Sequence, residues 1–103
     1  MPIHLTENNV HDAITSSATI NDNDASYFVD TTGGAVTLTV GSDMTHFVVY
    51  DSHFNFGANN CTVDFGGGST KVMSLDGEIM TFFQDSSDNW RYVSVSVGSG
   101  GSV

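Results

Sequence analysis

The feature that most constrains this chain is the stretch from Asn59 to Val97, where apolar and polar residues alternate with a period of two and glycine, aspartate, asparagine or serine repeatedly break the alternation. Cys61, Val63 and Phe65 fall on one side of an extended segment and Thr62 and Asp64 on the other, the pattern of a strand buried on one face. Gly66-Gly67-Gly68 interrupts it. Ser69 to Ser74 reads as a second strand, and Asp76-Gly77 as a hairpin turn, because both residues tolerate positive φ. Glu78 to Gln84 and Asn89 to Val97 follow, separated by the polar turn Asp85-Ser86-Ser87-Asp88, so the whole stretch predicts a β-meander.

The upstream half has the same character. Ser17 to Ile20 predicts a short strand, Asn21-Asp22-Asn23-Asp24 a turn, and Ala25 to Thr31 a strand with Tyr27 and Val29 on one face and Phe28 on the other. Gly33-Gly34 turns the chain, after which Ala35 to Val40 sets Val36, Leu38 and Val40 inward and Thr37 and Thr39 outward. His46 to Asp51 is apolar on both faces, as expected of a central strand or of one covered by a neighbouring subunit. The expected fold is all-β, a single small antiparallel β-sandwich or barrel. Residues 1–16 form an N-terminal arm with one helical turn capped by Thr6 and running through Ala13, residues 17–97 the β-domain, and residues 98–103 a flexible Gly/Ser tail. Gly33-Gly34 and Gly66 to Gly68 both join strands, but one such similarity does not establish a repeat.

Charge narrows the function. Twelve acidic residues stand against Lys71 and Arg91 alone, a formal net charge of −10. Binding a phosphate backbone needs clustered cations, so nucleic acid is excluded as a partner, and an anionic membrane surface is disfavoured on the same grounds. Assembly of several copies must overcome self-repulsion, or recruit a basic partner or divalent cations. The opening Met1-Pro2-Ile3-His4 has neither the basic region nor the apolar run of a signal peptide, and no apolar run has the length of a membrane span, so synthesis and residence in a cytosol are expected.

Candidate chemistry is sparse. Cys61 cannot form an internal disulfide, and its inward position reads as a small buried hydrophobe rather than a reactive thiol. His4, His11, His46 and His53 lack zinc-ligand spacing. Asp22-Asn23-Asp24 and Asp85 to Asn89 have oxygen ligands that suit calcium, but neither follows the EF-hand pattern, and solvated turns are the simpler reading. The expectation is no cofactor, with calcium the one ion these clusters would suit. Gly66 to Lys71 lacks the following helix of a phosphate loop. No nucleophile elbow or motif-placed carboxylate pair is present, so the chain is not expected to be an enzyme.

Trp90 and Tyr92 share a face of the last strand and are expected to fill the core. Phe54 and Phe56, in a loop, either plug one end of the core or anchor an interface. Arg91 is expected to pair with a carboxylate of its own or a neighbouring subunit, and Lys71 to do the same. The arm, with Ile3, Leu5 and Val10, is expected to lie on another subunit. The candidate interface residues are therefore Ile3, Leu5, Val10, Phe54, Phe56 and Arg91.

Asn60, Thr62, Val63 and Asp64, the Gly66 to Gly68 run, Thr81 to Phe83 and Asp88 to Ser94, with the strands Ala35 to Val40 and His46 to Asp51 before them, resemble small β-modules of tailed-bacteriophage virion proteins. Such modules occur in tail fibres, tail spikes and capsid-associated proteins and are commonly trimeric. The resemblance implies a virion structural protein on the capsid surface, made in the host cytoplasm: a capsid decoration, or cement, protein that oligomerises as a trimer on the major capsid protein and stabilises the shell by binding only its assembled form. The alternative is a tail-fibre or adhesin module that recognises a glycan of the host surface. Asn60-Cys61-Thr62 matches a glycosylation acceptor, which means little for a protein made in a bacterial host.

Overall fold

The structure, a computed structural model, describes residues 12–96. It contains eight strands: β1 (Ala18–Ile20), β2 (Ala25–Val29), β3 (Val36–Val40), β4 (His46–Asp51), β5 (Cys61–Gly66), β6 (Ser69–Met73), β7 (Glu78–Gln84) and β8 (Trp90–Ser96). No described residue is helical. The strands form two packed four-stranded sheets, ordered β1-β3-β5-β6 and β2-β4-β7-β8 and called here the β1 sheet and the β2 sheet. The all-β fold read from the sequence is the one observed, and of the sandwich and the barrel it is the sandwich.

The sheets are mixed, not antiparallel. From β1 to β5 the chain crosses from one sheet to the other at every turn, so β1, β3 and β5 lie parallel in one layer and β2 and β4 parallel in the other. Ile14 makes a further parallel bridge to Val29, its N–H donating to the Phe28 carbonyl at 2.7 Å and its carbonyl accepting from Asp30 N–H at 2.9 Å. Parallel neighbours need a long connection between them, and here each connection contains a strand of the opposite sheet. The turn at Gly33-Gly34 is thus a corner between layers, not a reversal within one. β6, β7 and β8 then close the winding with antiparallel pairings onto β5, β4 and β7 respectively.

The meander expected between Asn59 and Val97 is accordingly two separate hairpins, β5-β6 in one sheet and β7-β8 in the other. Asp76-Gly77 does not turn a hairpin. It lies in the crossing between them, and only Gly77 has positive φ. The hairpin turn is instead Gly67-Gly68, with φ of 62° and 87°, the positive pair that a tight two-residue turn requires. Just before it the register shifts between Asp64 and Gly66, leaving Phe65 as an extra residue whose ring packs toward the other sheet. Such a bulge re-aims a side chain.

The core lies between the layers. Ile20, Val36, Leu38, Cys61, Val63 and Met73 from the β1 sheet meet Ala25, Tyr27, Val29, Phe47, Val49, Met80 and Phe82 from the β2 sheet, all buried. Phe47 stacks on Phe82 with ring centroids 5.0 Å apart and receives the edge of Tyr27 at 6.1 Å.

Successive corners are bonded to one another. Asn23 Oδ1 accepts from Thr45 N–H at 2.7 Å and His46 N–H at 3.2 Å, while its Nδ2 donates to the Asp43 carbonyl at 3.1 Å. The Tyr27 hydroxyl donates to the Asp22 carbonyl and accepts from Asp22 N–H, and its burial raises its pKa. The turn predicted at 21–24 is therefore the support for the next corner.

At the other end, the buried Asp51 carboxylate accepts N–H bonds from Asn55 at 3.1 Å, Phe56 at 2.9 Å and Gly77 at 3.0 Å. It ties the loop after β4 to the crossing before β7. Glu78, also buried, accepts from the Ser94 hydroxyl at 2.7 Å.

Candidate functional site

β6 and β8 are edge strands of opposite sheets, and a groove of about 340 Å³ opens between them. It is lined by Phe65, Ser69, Thr70, Lys71, Phe82, Trp90, Arg91 and Tyr92. The bulge brings Phe65 to Trp90, with ring centroids 5.0 Å apart, and to Phe82 at 5.5 Å. Trp90 closes the inner wall against Phe47 at 5.6 Å. Tyr92, two residues along β8 and so on the same face as Trp90, is half-exposed, with the Lys71 ammonium 4.4 Å from the centre of its ring.

Both basic residues of the chain thus border one groove. They differ in what they are bound to. Arg91 Nε donates to Asp85 Oδ2 at 3.0 Å. The same carboxylate accepts Ser87 N–H at 2.8 Å and Asn89 N–H at 3.0 Å, and these two backbone bonds, with the guanidinium after them, hold its pKa down at about 2. Lys71 is within ion-pair distance of no carboxylate among the described residues. Its charge rests on an aromatic face, where a cation–π contact supports it.

A second surface is the outer face of the β2 sheet. The registers set Ser26, Val48, Thr81 and Val93 in one row across the four strands and Phe28, Tyr50, Ile79 and Val95 in the next. A third row runs from His46 through Phe83 to Arg91. Phe28 and Tyr50 pack ring to ring at 4.8 Å. Val93 is 58 % exposed, Val95 50 % and Phe83 37 %. On a chain of charge −10 these three rows contain no carboxylate. Acids lie at the border, Asp24 bound to His46, Asp85 to Arg91, and Asp30 near His53.

The predicted interface residues are not gathered at one place. Ile3, Leu5 and Val10, like most of the helical turn expected from Thr6, lie outside the described residues; Asp12 and Ala13 are not helical. Phe56 is fully buried and plugs one end of the core, whereas Phe54, at φ 52°, is 54 % exposed. Of the two alternatives read for this loop, Phe56 takes the plug, and Phe54 is left at the surface. Arg91 pairs within its own chain, as expected. Lys71 pairs with no acid among the described residues, and Tyr92 does not fill the core but forms the outer lip of the groove. Trp90 is half-buried against the core.

The remaining candidates are structural. Cys61 is buried, and desolvation, with the Asp51 and Glu78 charges behind it, pushes its thiol up to about 12, far from thiolate reactivity. His46 sits at the start of β4 and His53 beyond its end, so they do not converge. His53 Nδ1 lies 2.8 Å from Ser52 Oγ and 3.7 Å from Asp30 Oδ2. The Asp30 carboxyl is held below the usual range mainly by its bonds from the Thr32 hydroxyl and N–H, with His53 contributing least. Among the described residues no three His, Cys, Asp or Glu side chains gather as metal ligands would.

The groove is the part sequence reasoning missed. Its signal was the separation of Lys71 and Arg91 by one hairpin and one crossing, which becomes proximity once β6 and β8 are recognised as the edges of facing sheets. No protein-family model matches this sequence and no curated protein is significantly similar to it.

Proposed function

We propose that this chain is a structural protein of a tailed-phage virion, of the capsid-decoration type, which associates with copies of itself as a trimer and with the major capsid protein and so stabilises the assembled shell. The observation that carries the reading is the outer face of the β2 sheet. An interface centre is depleted of charge and rich in aromatic and aliphatic side chains, with polar groups at its rim. The rows through Val93 and Val95, bordered by the Asp24–His46 and Asp85–Arg91 pairs, have that composition. Self-repulsion opposes association of an acidic chain, and these rows add no carboxylate to it. A protein bound only to the assembled shell stabilises it by mass action.

The test is quantitative mass spectrometry of purified particles against the major capsid protein. A decoration protein is expected in copies on the scale of the capsid protein itself. A few copies per particle would move it to the tail, and absence from the particle would refute a virion role.

The groove between β6 and β8 favours a second reading, a module that recognises a cell-surface glycan. Aromatic faces and a hydroxyl group in an open cleft suit a sugar ring, and Trp90, Tyr92 and Ser69 supply them.

A further inference from the structure

We infer that the groove between β6 and β8 binds a saccharide unit carrying a carboxylate, with the Lys71 ammonium as the group that recognises the charge. The inference rests on the glycan reading of that groove and adds the class of sugar.

In a chain with twelve acids, the only lysine would be expected to fall near one of them, yet none of the described carboxylates lies within ion-pair distance of Lys71. Arg91, at the border of the same groove, has its Nε committed to Asp85. The groove therefore offers one unneutralised cation beside an aromatic wall. Anions are repelled by the rest of the molecule, so an anionic ligand finds its complement here alone among the described residues.

The wall limits what the ligand can be. Trp90 and Phe65 are tilted by 32° at 5.0 Å, Tyr92 is half-exposed, and Ser69, on the same face of β6 as Lys71, lines the opposite side. Flat rings take the apolar C–H face of a pyranose, hydroxyls and N–H groups take its edge, and an ammonium takes a carboxylate as a point charge. A polyphosphate or nucleic acid would bring many charges against a protein of −10 with one cation to meet them. A uronic or sialic acid brings one.

Trp90 is the only tryptophan of the chain, so its fluorescence reports on this groove without labelling. The full chain would be titrated with sialyllactose against lactose, and with galacturonic acid against its methyl ester. The expected result is a saturable change in Trp90 emission with at least one acidic sugar, about tenfold weaker with its neutral counterpart, and in Lys71→Gln reduced to the neutral level, the loss of one charge-assisted contact. Thermal melting of Lys71→Gln matching that of the wild type shows that the fold is intact. If a neutral sugar binds as tightly as its acidic partner, or Lys71→Gln binds the acidic sugar undiminished, the carboxylate inference fails and the glycan reading survives. If none of the four sugars perturbs Trp90, both fail.

Discussion

At the scale of the single residue, neighbours in sequence have unrelated roles for reasons that lie in the backbone. Phe54 and Phe56 are chemically identical and two positions apart. The Asp51 carboxylate fixes the Asn55 and Phe56 amides and seats Phe56 in the core, whereas Phe54, in the left-handed region, projects outward. Nothing in the sequence separates the two, because the deciding bonds run from a buried acid to main-chain groups. Arg91 was legible for the opposite reason, being one of two cations among many acids. Its partner Asp85 carries a pH dependence of known sign. An unperturbed aspartate titrates at about 3.9, and Asp85 in the fold at about 2. A carboxyl whose folded pKa is depressed contributes stability above its unfolded pKa, and the contribution is lost as pH falls through the folded value. Asp85→Asn should therefore melt below the wild type above about pH 5, with the difference closing as pH falls toward about 2. Melting curves measured across that range would oppose the assignment if the difference stayed constant.

At the scale of the element, strands were far more legible than the connections between them. β4 and β7 have the boundaries the alternation gives, and the apolar run of β4 does belong to a central strand, between β2 and β7. Period-two patterning fixes which face of a strand is inward, and Cys61, Val63, Val36 and Leu38 are buried as read. Pairing direction was not legible, since a glycine or asparagine turn looks the same whether it reverses the chain within a sheet or carries it across to the other layer. The close stacking of corners is also silent in sequence, except through glycine. Gly41 N–H donates to the Ile20 carbonyl at 2.8 Å, and a Cβ there would stand 2.9 Å from that carbonyl oxygen and 2.1 Å from Asn21 Oδ1. The Asn21 side chain can swing away, but the main-chain oxygen moves only with its strand. Gly41→Ala is expected to cost about 1–3 kcal/mol in denaturant unfolding, the range for overpacking a tight site. An unchanged midpoint would mean that the corners do not support one another.

At the scale of the whole molecule, two surfaces remain after the core is accounted for, and each follows from how the winding ends. Antiparallel addition of β7 and β8 extends the β2 sheet into a broad face, and β8 leaves at its edge a seven-residue strand with Val93 and Val95 exposed. Soluble proteins usually protect such an edge with charge, proline or a covering element. Arg91 is the only charged residue on β8. Addition of β6 to the β1 sheet opens the groove on the same side. The sequence suggested a covered face, through the two-sided apolarity of His46 to Asp51, but could not show that β7 and β8 continue it. The groove was harder to read, because its walls come from three separated segments that meet only once the sheet edges are known.

Burial of the outer face of the β2 sheet against further copies of the chain, as proposed, can be read by sedimentation velocity of the full chain beside the double variant Val93→Asp, Val95→Asp. The account predicts a trimer for the wild type and a monomer for the variant, with unchanged far-ultraviolet circular dichroism. A wild-type chain that sediments as a monomer throughout the micromolar range, or a variant that still forms the trimer, would contradict it.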